Sequence, residues 1–226
     1  MRSISSVRTL AGVAYELFAS LLAPPRCAAC DAAVVRAAAF CSPCAAQVEP
    51  AGTQDPTRLA AFVYGGPIAE TIVRLKYGAR PDLARPLGDL LYRAAMPHVD
   101  VLRGALVVPV PLHPSRLAER GYNQSALVGG RLARHMGAPF DAMALARVRD
   151  TTQQAKLDRA ARLANVDGSI RVRHAGRVQG RTVLLVDDVS TTGATLAACA
   201  DALLGAGAAE VRTAVVARAE RAHVPA

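Results

Sequence analysis

The stretch Val183–Thr195, VLLVDDVSTTGAT, constrains this chain more than any other. Its first four residues, Val183–Val186, are apolar and read as a short buried parallel strand. Two adjacent carboxylates, Asp187 and Asp188, follow at the C-terminal end of that run. A small, hydroxyl-rich turn comes next, Ser190-Thr191-Thr192-Gly193-Ala194-Thr195, opening a helix expected to reach about Leu204. In an open α/β sheet, ligands sit at the carboxyl ends of the strands. A tight turn at a helix start offers backbone N–H groups suited to a phosphate, and Gly193 lets the backbone approach the anion closely. The acid pair repels an anion, so its chemistry fits the vicinal hydroxyls of a ribose. The local pattern reads as a cradle for a ribose 5-phosphate.

These residues resemble the phosphoribosyl-diphosphate (PRPP) motif of type I phosphoribosyltransferases: four hydrophobics, two acids, then a Thr/Gly loop. The resemblance implies that Asp187 and Asp188 hold the ribose 2′- and 3′-hydroxyls. It implies that Val189, Ser190, Thr191, Thr192, Gly193, Ala194 and Thr195 line the 5′-phosphate site. A plain strand–turn–helix with surface aspartates is the alternative. Strand, acids and loop occur in the order the chemistry needs, which favours the cradle.

With 226 residues the chain can hold one α/β domain and a small appendage. The net charge is +9, unevenly spread: Arg147–Arg181 has nine basic and three acidic side chains, a net of +6. A basic segment next to a phosphate site favours a diphosphate or nucleic acid. Only two of the 27 basic residues are lysines, Lys76 and Lys156. The apolar segment Leu10–Ala23 is too short to span a bilayer and carries Glu16 at its centre. Its helical spacing points to a docking helix rather than a signal peptide, and the protein is expected to be cytoplasmic.

Cys27-x-x-Cys30 and Cys41-x-x-Cys44 form two pairs spaced to share one tetrahedral ion. A disulfide reading needs an oxidising compartment, which nothing in the sequence indicates. A closed four-Cys site leaves no open coordination position, so the expected zinc is structural. A ribbon gripping nucleic acid is the alternative, which the weak charge of this segment disfavours.

Glu49–Pro56 is expected to be a linker, and Leu59–Tyr64 a strand. A helix over about Ile68–Lys76 would follow, with Lys76 either poised over a ligand or simply solvated. A second helix is expected over Asp82–Met96, and a strand over Ala105–Val110 that Pro109-x-Pro111 ends. Arg116, Arg120 and Gly121 would then build a second cationic turn where guanidinium forks could bind a diphosphate, with solvated arginines the alternative. Asn123 or Ser125 would cap the next helix, to about His135. Ala144–Arg149 and Ser169–Val172 read as strands around a polar segment, Arg149–Gly168, taken as a lid rather than a solvated loop. Val211–Ala217 supplies a last strand, and Arg218–Ala226 a frayed tail. His113, next to the second turn, is the one histidine singled out, and Cys199 belongs to the core.

The whole chain resembles the ComF (GntX) family. The matching residues are Pro24-Pro25-Arg26-Cys27-x-x-Cys30, Cys41-x-x-Cys44, Leu75-Lys76-Tyr77, Pro109-Val110-Pro111-Leu112 and Arg116-x-x-x-Arg120-Gly121-Tyr122-Asn123-Gln124. Arg149-x-Thr151-x-x-Gln154-x-x-Leu157, Arg162-x-x-Asn165-Val166-x-Gly168 and the PRPP motif continue the match. Asp31 stands where the family often has Gly, a departure expected to leave the chemistry untouched. The resemblance implies an α/β fold: a phosphoribosyltransferase-like parallel sheet with flanking helices over 59–226, preceded by a helix and zinc-ribbon-like module over 1–58. It also implies PRPP contacts from Pro111, Arg149, Thr151 and Gln154, magnesium bound with PRPP, and a link to DNA uptake in natural competence. Lys76, Arg116 and Arg120 would neutralise the departing diphosphate of a phosphoribosyl transfer. A non-catalytic PRPP-sensing regulator and a single-strand DNA-handling protein of the uptake machinery are the alternatives. The scarcity of aromatic residues weighs against the DNA-handling reading.

Overall fold

Val183–Val186 lies inside a strand, β5 (Thr182–Ser190), longer than the apolar run alone. Asp187 and Asp188 therefore belong to the strand and do not follow it, which corrects the expected boundary. Their side chains are poor strand formers, but the backbone still pairs with the neighbouring strand β6 (Glu210–Arg218), Asp187 opposite Val215 and Ser190 opposite Arg218. Arg218, expected in the tail, is held by the same ladder. The computed structural model describes residues 25–34, 38–52, 55–148 and 169–219. The expected docking helix Leu10–Ala23 and the lid Arg149–Gly168, with Arg149, Thr151 and Gln154, lie outside the described residues.

The main sheet has the order β1–β6–β5–β2, all parallel, with β1 at Arg58–Val63 and β2 at Leu106–Pro109. A small antiparallel pair, β3 (Leu145–Arg147) and β4 (Ile170–Val172), stands apart. Pro109 is tolerated because β2 is at the margin of this sheet, where a missing N–H breaks no ladder bond. The helices are α1 (Ser42–Ala45), α2 (Gly66–Tyr77), α3 (Ala84–Ala95), α4 (Val99–Leu102), α5 (Pro114–Arg120), α6 (Gln124–Met136) and α7 (Ala194–Gly205). The arginine-bearing segment expected as a turn is thus helix α5. His113 caps it, its Nδ1 accepting from the Ser115 N–H at 3.3 Å.

Strand alternation divides the core between the two faces of the sheet. Leu184 and Val186 pack with Leu87 and Leu91 of α3 and Val128 and Leu132 of α6. Val183 and Leu185 pack on the opposite face with Leu196, Cys199 and Leu203 of α7. Cys199 is fully buried as expected, and burial pushes its thiol up. The expected linker is partly ordered: Ala51 N–H donates to Ala61 at 3.1 Å, Val63 N–H to Glu49 at 2.9 Å, and Pro50 bridges antiparallel to Phe62. Segment 49–51 is therefore an added rung along the outer side of β1.

Helices α3 and α6 lie close because Gly88 has no side chain. A Cβ there would meet Arg131 Cβ at 2.6 Å and Cγ at 2.7 Å. Arg131 cannot swing away, since its guanidinium is committed to Asp89, with Nε donating at 2.5 Å. Gly88→Ala should therefore cost about 1–3 kcal/mol by overpacking. The measurement is a lowered urea midpoint with unchanged slope. An unshifted midpoint would show that the two helices tolerate separation. Among the described residues no helix is long and apolar enough to cross a membrane.

Candidate functional site

The C-terminal ends of β2 and β5 lie side by side, and α6 starts just beyond them. Asn123 sets its start: its Oδ1 accepts from the N–H groups of Ser125 (3.0 Å) and Ala126 (3.3 Å), and its Nδ2 donates to the Val110 carbonyl at 3.0 Å. Of the two expected caps, Asn123 is the one used. Ser125 is thereby free to face the acids, its hydroxyl donating to Asp187 Oδ1 at 2.6 Å. Gln124 Nε2 donates to Asp188 Oδ1 at 3.0 Å, and Lys76, from the last turn of α2, forms an ion pair with Asp188 Oδ2. The Asp188 N–H closes the cluster by donating to Asp187 Oδ1 at 2.9 Å.

Both acids are buried, at 9% and 2% exposure for Asp187 and Asp188. Burial, reinforced by the adjacent Asp188 charge, pushes the Asp187 carboxyl up to about 7, although Ser125 and Lys76 pull the other way. Burial also works against the charge of Lys76, but Asp188 outweighs it and holds the ammonium above the ordinary lysine range. The result is a tightly held acid–ammonium cluster at the strand tip.

Beyond it, Val189 and Ser190 end β5, Thr191 and Thr192 are exposed, and Gly193 takes the left-handed conformation (φ 79°) that starts α7. Thr192 Oγ1 accepts from the Ala194 N–H at 3.4 Å, and Thr195 lies in the first turn. This is an open, hydroxyl-bearing helix start with the acids one strand segment behind it.

Arg120 joins the cluster through Gln124, donating to its Oε1 at 2.5 Å, and lies over the Tyr77 ring at 5.2 Å. Its placement links the expected diphosphate arginine to Asp188 through one amide. Arg116 pairs instead with Glu119 at 3.8 Å on its own helix, and Pro111 is buried just past β2. Gln124 and Ser125 as partners of the acids escaped the sequence reading. The signal was present in Asn123-Gln124-Ser125, since a capping Asn aims the next two polar side chains back towards the sheet.

The four sulfurs of Cys27, Cys30, Cys41 and Cys44 lie within 4.8 Å of one another, with Cys30 and Cys41 at 3.6 Å. Thiolates about 2.3 Å from a tetrahedral zinc ion stand about 3.8 Å apart, so the donor set fits. Cys27 ionises readily: burial opposes it, but N–H groups of Cys30, Cys41 and Ala29 bring its thiol down to about 6. Cys44, hydrogen-bonded to Cys41, is pushed up to about 12, because these thiols cannot all ionise without a cation. Asp31 adopts φ 60°, a conformation Asp tolerates. It has a structural role, since its carboxylate pairs with Arg74 and with Arg80.

A parallel sheet with an acid pair and a Gly/Thr helix start at its carboxyl edge, joined to a four-thiol knuckle, defines a phosphoribosyltransferase-type domain carrying a zinc ribbon. Comparisons agree: the phosphoribosyl transferase domain model matches residues 123–225 and the double zinc ribbon domain model residues 18–58. DNA utilization protein YhgH of Escherichia coli (strain K12) is 36% identical over 153 residues, 66% of this chain and 66% of that protein. Competence protein F of Haemophilus influenzae is 32% identical over 160 residues, 69% of this chain and 70% of that protein. The match to competence protein F places the chain in the ComF family, and the chain spans just under two thirds of the YhgH length it matches. The allosteric regulatory enzyme of purine biosynthesis, a solved structure, aligns with a TM-score of 0.44 and 22% identity over 63% of this chain and 29% of its own.

Proposed function

We propose that the strand-tip cleft binds PRPP and transfers its phosphoribosyl group to an acceptor. The supporting observation is the buried acid pair of β5 followed, within the same strand–turn–helix unit, by the open Thr191–Thr195 loop. The loop N–H and hydroxyl groups would hold the 5′-phosphate, and the carboxylates would accept hydrogen bonds from the ribose diol. As the diol takes over Asp188, Lys76 is released towards the diphosphate, where Arg120 and Arg116 add charge. The C1′–O bond breaks with its electron pair leaving on diphosphate, and the acceptor's lone pair forms the new bond to an oxocarbenium-like carbon. Charge stabilisation of the leaving group contributes about 3–4 kcal/mol per well-placed donor.

Magnesium suits the oxygen-rich acid pair, and Asp187 and Asp188 would hold it, directly or through the ribose hydroxyls. When bound it supplies charge neutralisation for the diphosphate. The segment Arg149–Gly168, with Arg149, Thr151 and Gln154, would exclude water from the reacting carbon. A cytoplasmic location, where thiols stay reduced and zinc-bound, fits this reading.

The relatives' names concern DNA utilization and competence, which favours an acceptor or partner in nucleic-acid handling. The test is incubation of the full chain with PRPP, magnesium and a panel of nucleobases and oligonucleotides while diphosphate is assayed. Base-dependent diphosphate release is expected. PRPP binding with no release for any acceptor would favour a sensor, and no binding at all would remove the cleft assignment.

A further inference from the structure

Helix α2 reaches the acid pair with one side chain and the four-cysteine knuckle with another. Arg74 Nη1 donates to the carbonyls of Ala28 (2.8 Å) and Ala29 (2.9 Å), the two residues between Cys27 and Cys30. Its Nη2 forms an ion pair with the Asp31 carboxylate, just past the same turn. Three acceptors from one cysteine loop thus converge on one planar guanidinium, a geometry lysine cannot serve. Lys76 is two residues on, about 200° around the helix axis, and points the other way, to Asp188.

The turn between them is braced on its remaining sides. Leu75 is fully buried, its carbonyl accepts from the Tyr122 hydroxyl, and the Gly78 N–H donates to the Arg74 carbonyl at 2.8 Å. Tyr122 immediately precedes Asn123, the cap that aims Gln124 and Ser125 at the acids. Displacing this turn therefore disturbs both Lys76 and the start of α6. The carbonyls of Ala28 and Ala29 converge only while the Cys27–Cys30 loop keeps its shape, which a metal shared by the four thiolates would enforce.

We propose that Arg74 is a positioning residue that couples the cysteine knuckle to the ligand cleft, fixing the last turn of α2 so that Lys76 is held beside the acid pair, placed for the diphosphate to which ligand binding releases it. The zinc module, on this inference, acts at a distance on affinity for the anionic sugar. The ligand named here rests on the PRPP reading above, whereas the mechanical coupling does not.

A double-mutant cycle on the full, zinc-loaded chain tests it, with metal content checked for each variant. PRPP affinity is measured by calorimetry for the wild type, Arg74→Ala, Lys76→Met and the double variant. Arg74→Ala is expected to weaken binding about tenfold with zinc retained, within the range of inter-site couplings. If Arg74 acts through Lys76, the double variant binds no worse than Lys76→Met. Fold-changes that multiply, or an unaffected Arg74→Ala, would overturn the inference, since a staple with no link to the cleft behaves so. Asp31→Asn, a milder change at the same contact, should shift affinity in the same direction and serves if Arg74→Ala misfolds.

Amide hydrogen exchange gives a second readout without PRPP. Arg74→Ala or Asp31→Asn should speed exchange at Leu75–Gly78 and Gln124–Ala126, and loosening confined to residues 26–48 would overturn the coupling. If the wild type binds no PRPP while exchange still spreads to α6, the cleft's ligand was misassigned and the coupling stands.

Discussion

Replacing Asp187 and Asp188 together by Asn is expected to abolish PRPP binding while leaving the chain folded. Hydrogen bonds to charged groups contribute about 1.5–3 kcal/mol each, so losing two predicts a drop of about two to four orders of magnitude in affinity. Calorimetry reads it directly, and unchanged affinity would refute the diol assignment. Stability should move the other way with pH in mind. The folded Asp187 carboxyl is pushed up to about 7, whereas an unfolded aspartate titrates near its ordinary 3.8. Between those values the native state binds the extra proton, so stability falls as pH rises from about 4 to about 7. Asp187→Asn should flatten that fall, which is on the order of a few kcal/mol in the wild type. The check is urea denaturation across pH 4–8. Because the carboxylate is the better acceptor for hydroxyl donors, sugar affinity should climb as the pH passes through about 7, where the folded carboxyl ionises.

Removing zinc is expected to have the second large effect. Small zinc modules draw about 10–16 kcal/mol of folding free energy from the metal, far more than the few buried side chains near Cys27 and Ala28 can replace. A chelator at equilibrium should release about one zinc per chain and melt the ordered structure around the cysteines. The same treatment of a Cys41→Ser variant should release little further metal. Zinc quantification with near-ultraviolet and far-ultraviolet dichroism makes the measurement. Full retention of structure after complete metal loss would assign the four thiols another role.

Much of the site was legible in the sequence because its parts are local. An apolar strand, two acids and a Gly/Thr turn are contiguous, and each reports its own chemistry through spacing. The four cysteines were legible for the same reason. What escaped was non-local. Nothing near Lys76 indicates that its ammonium meets a carboxylate more than a hundred positions later, so its role stayed open between ligand contact and solvation. Gln124 and Ser125 were hidden behind an ambiguity over which residue caps α6, and a shift of two positions there redirects every side chain of the first turn. The extent of β5 was underestimated because aspartates disfavour strands in isolation, whereas here the ladder to β6 decides. The partners of Asp31, Arg74 and Arg80, are likewise distant in sequence, so its bracing role was not legible there.

The rung formed by residues 49–51 carries a consequence for how this architecture can be divided. Strand β1 is the outermost member of the parallel sheet, and an uncovered outer strand is a template on which another polypeptide can pair. The backbone of Glu49 and Ala51 occupies part of that template. A phosphoribosyltransferase-type half severed just ahead of Arg58 would therefore present a sticky flank to its own copies, and self-association would mask whatever ligand binding it retained.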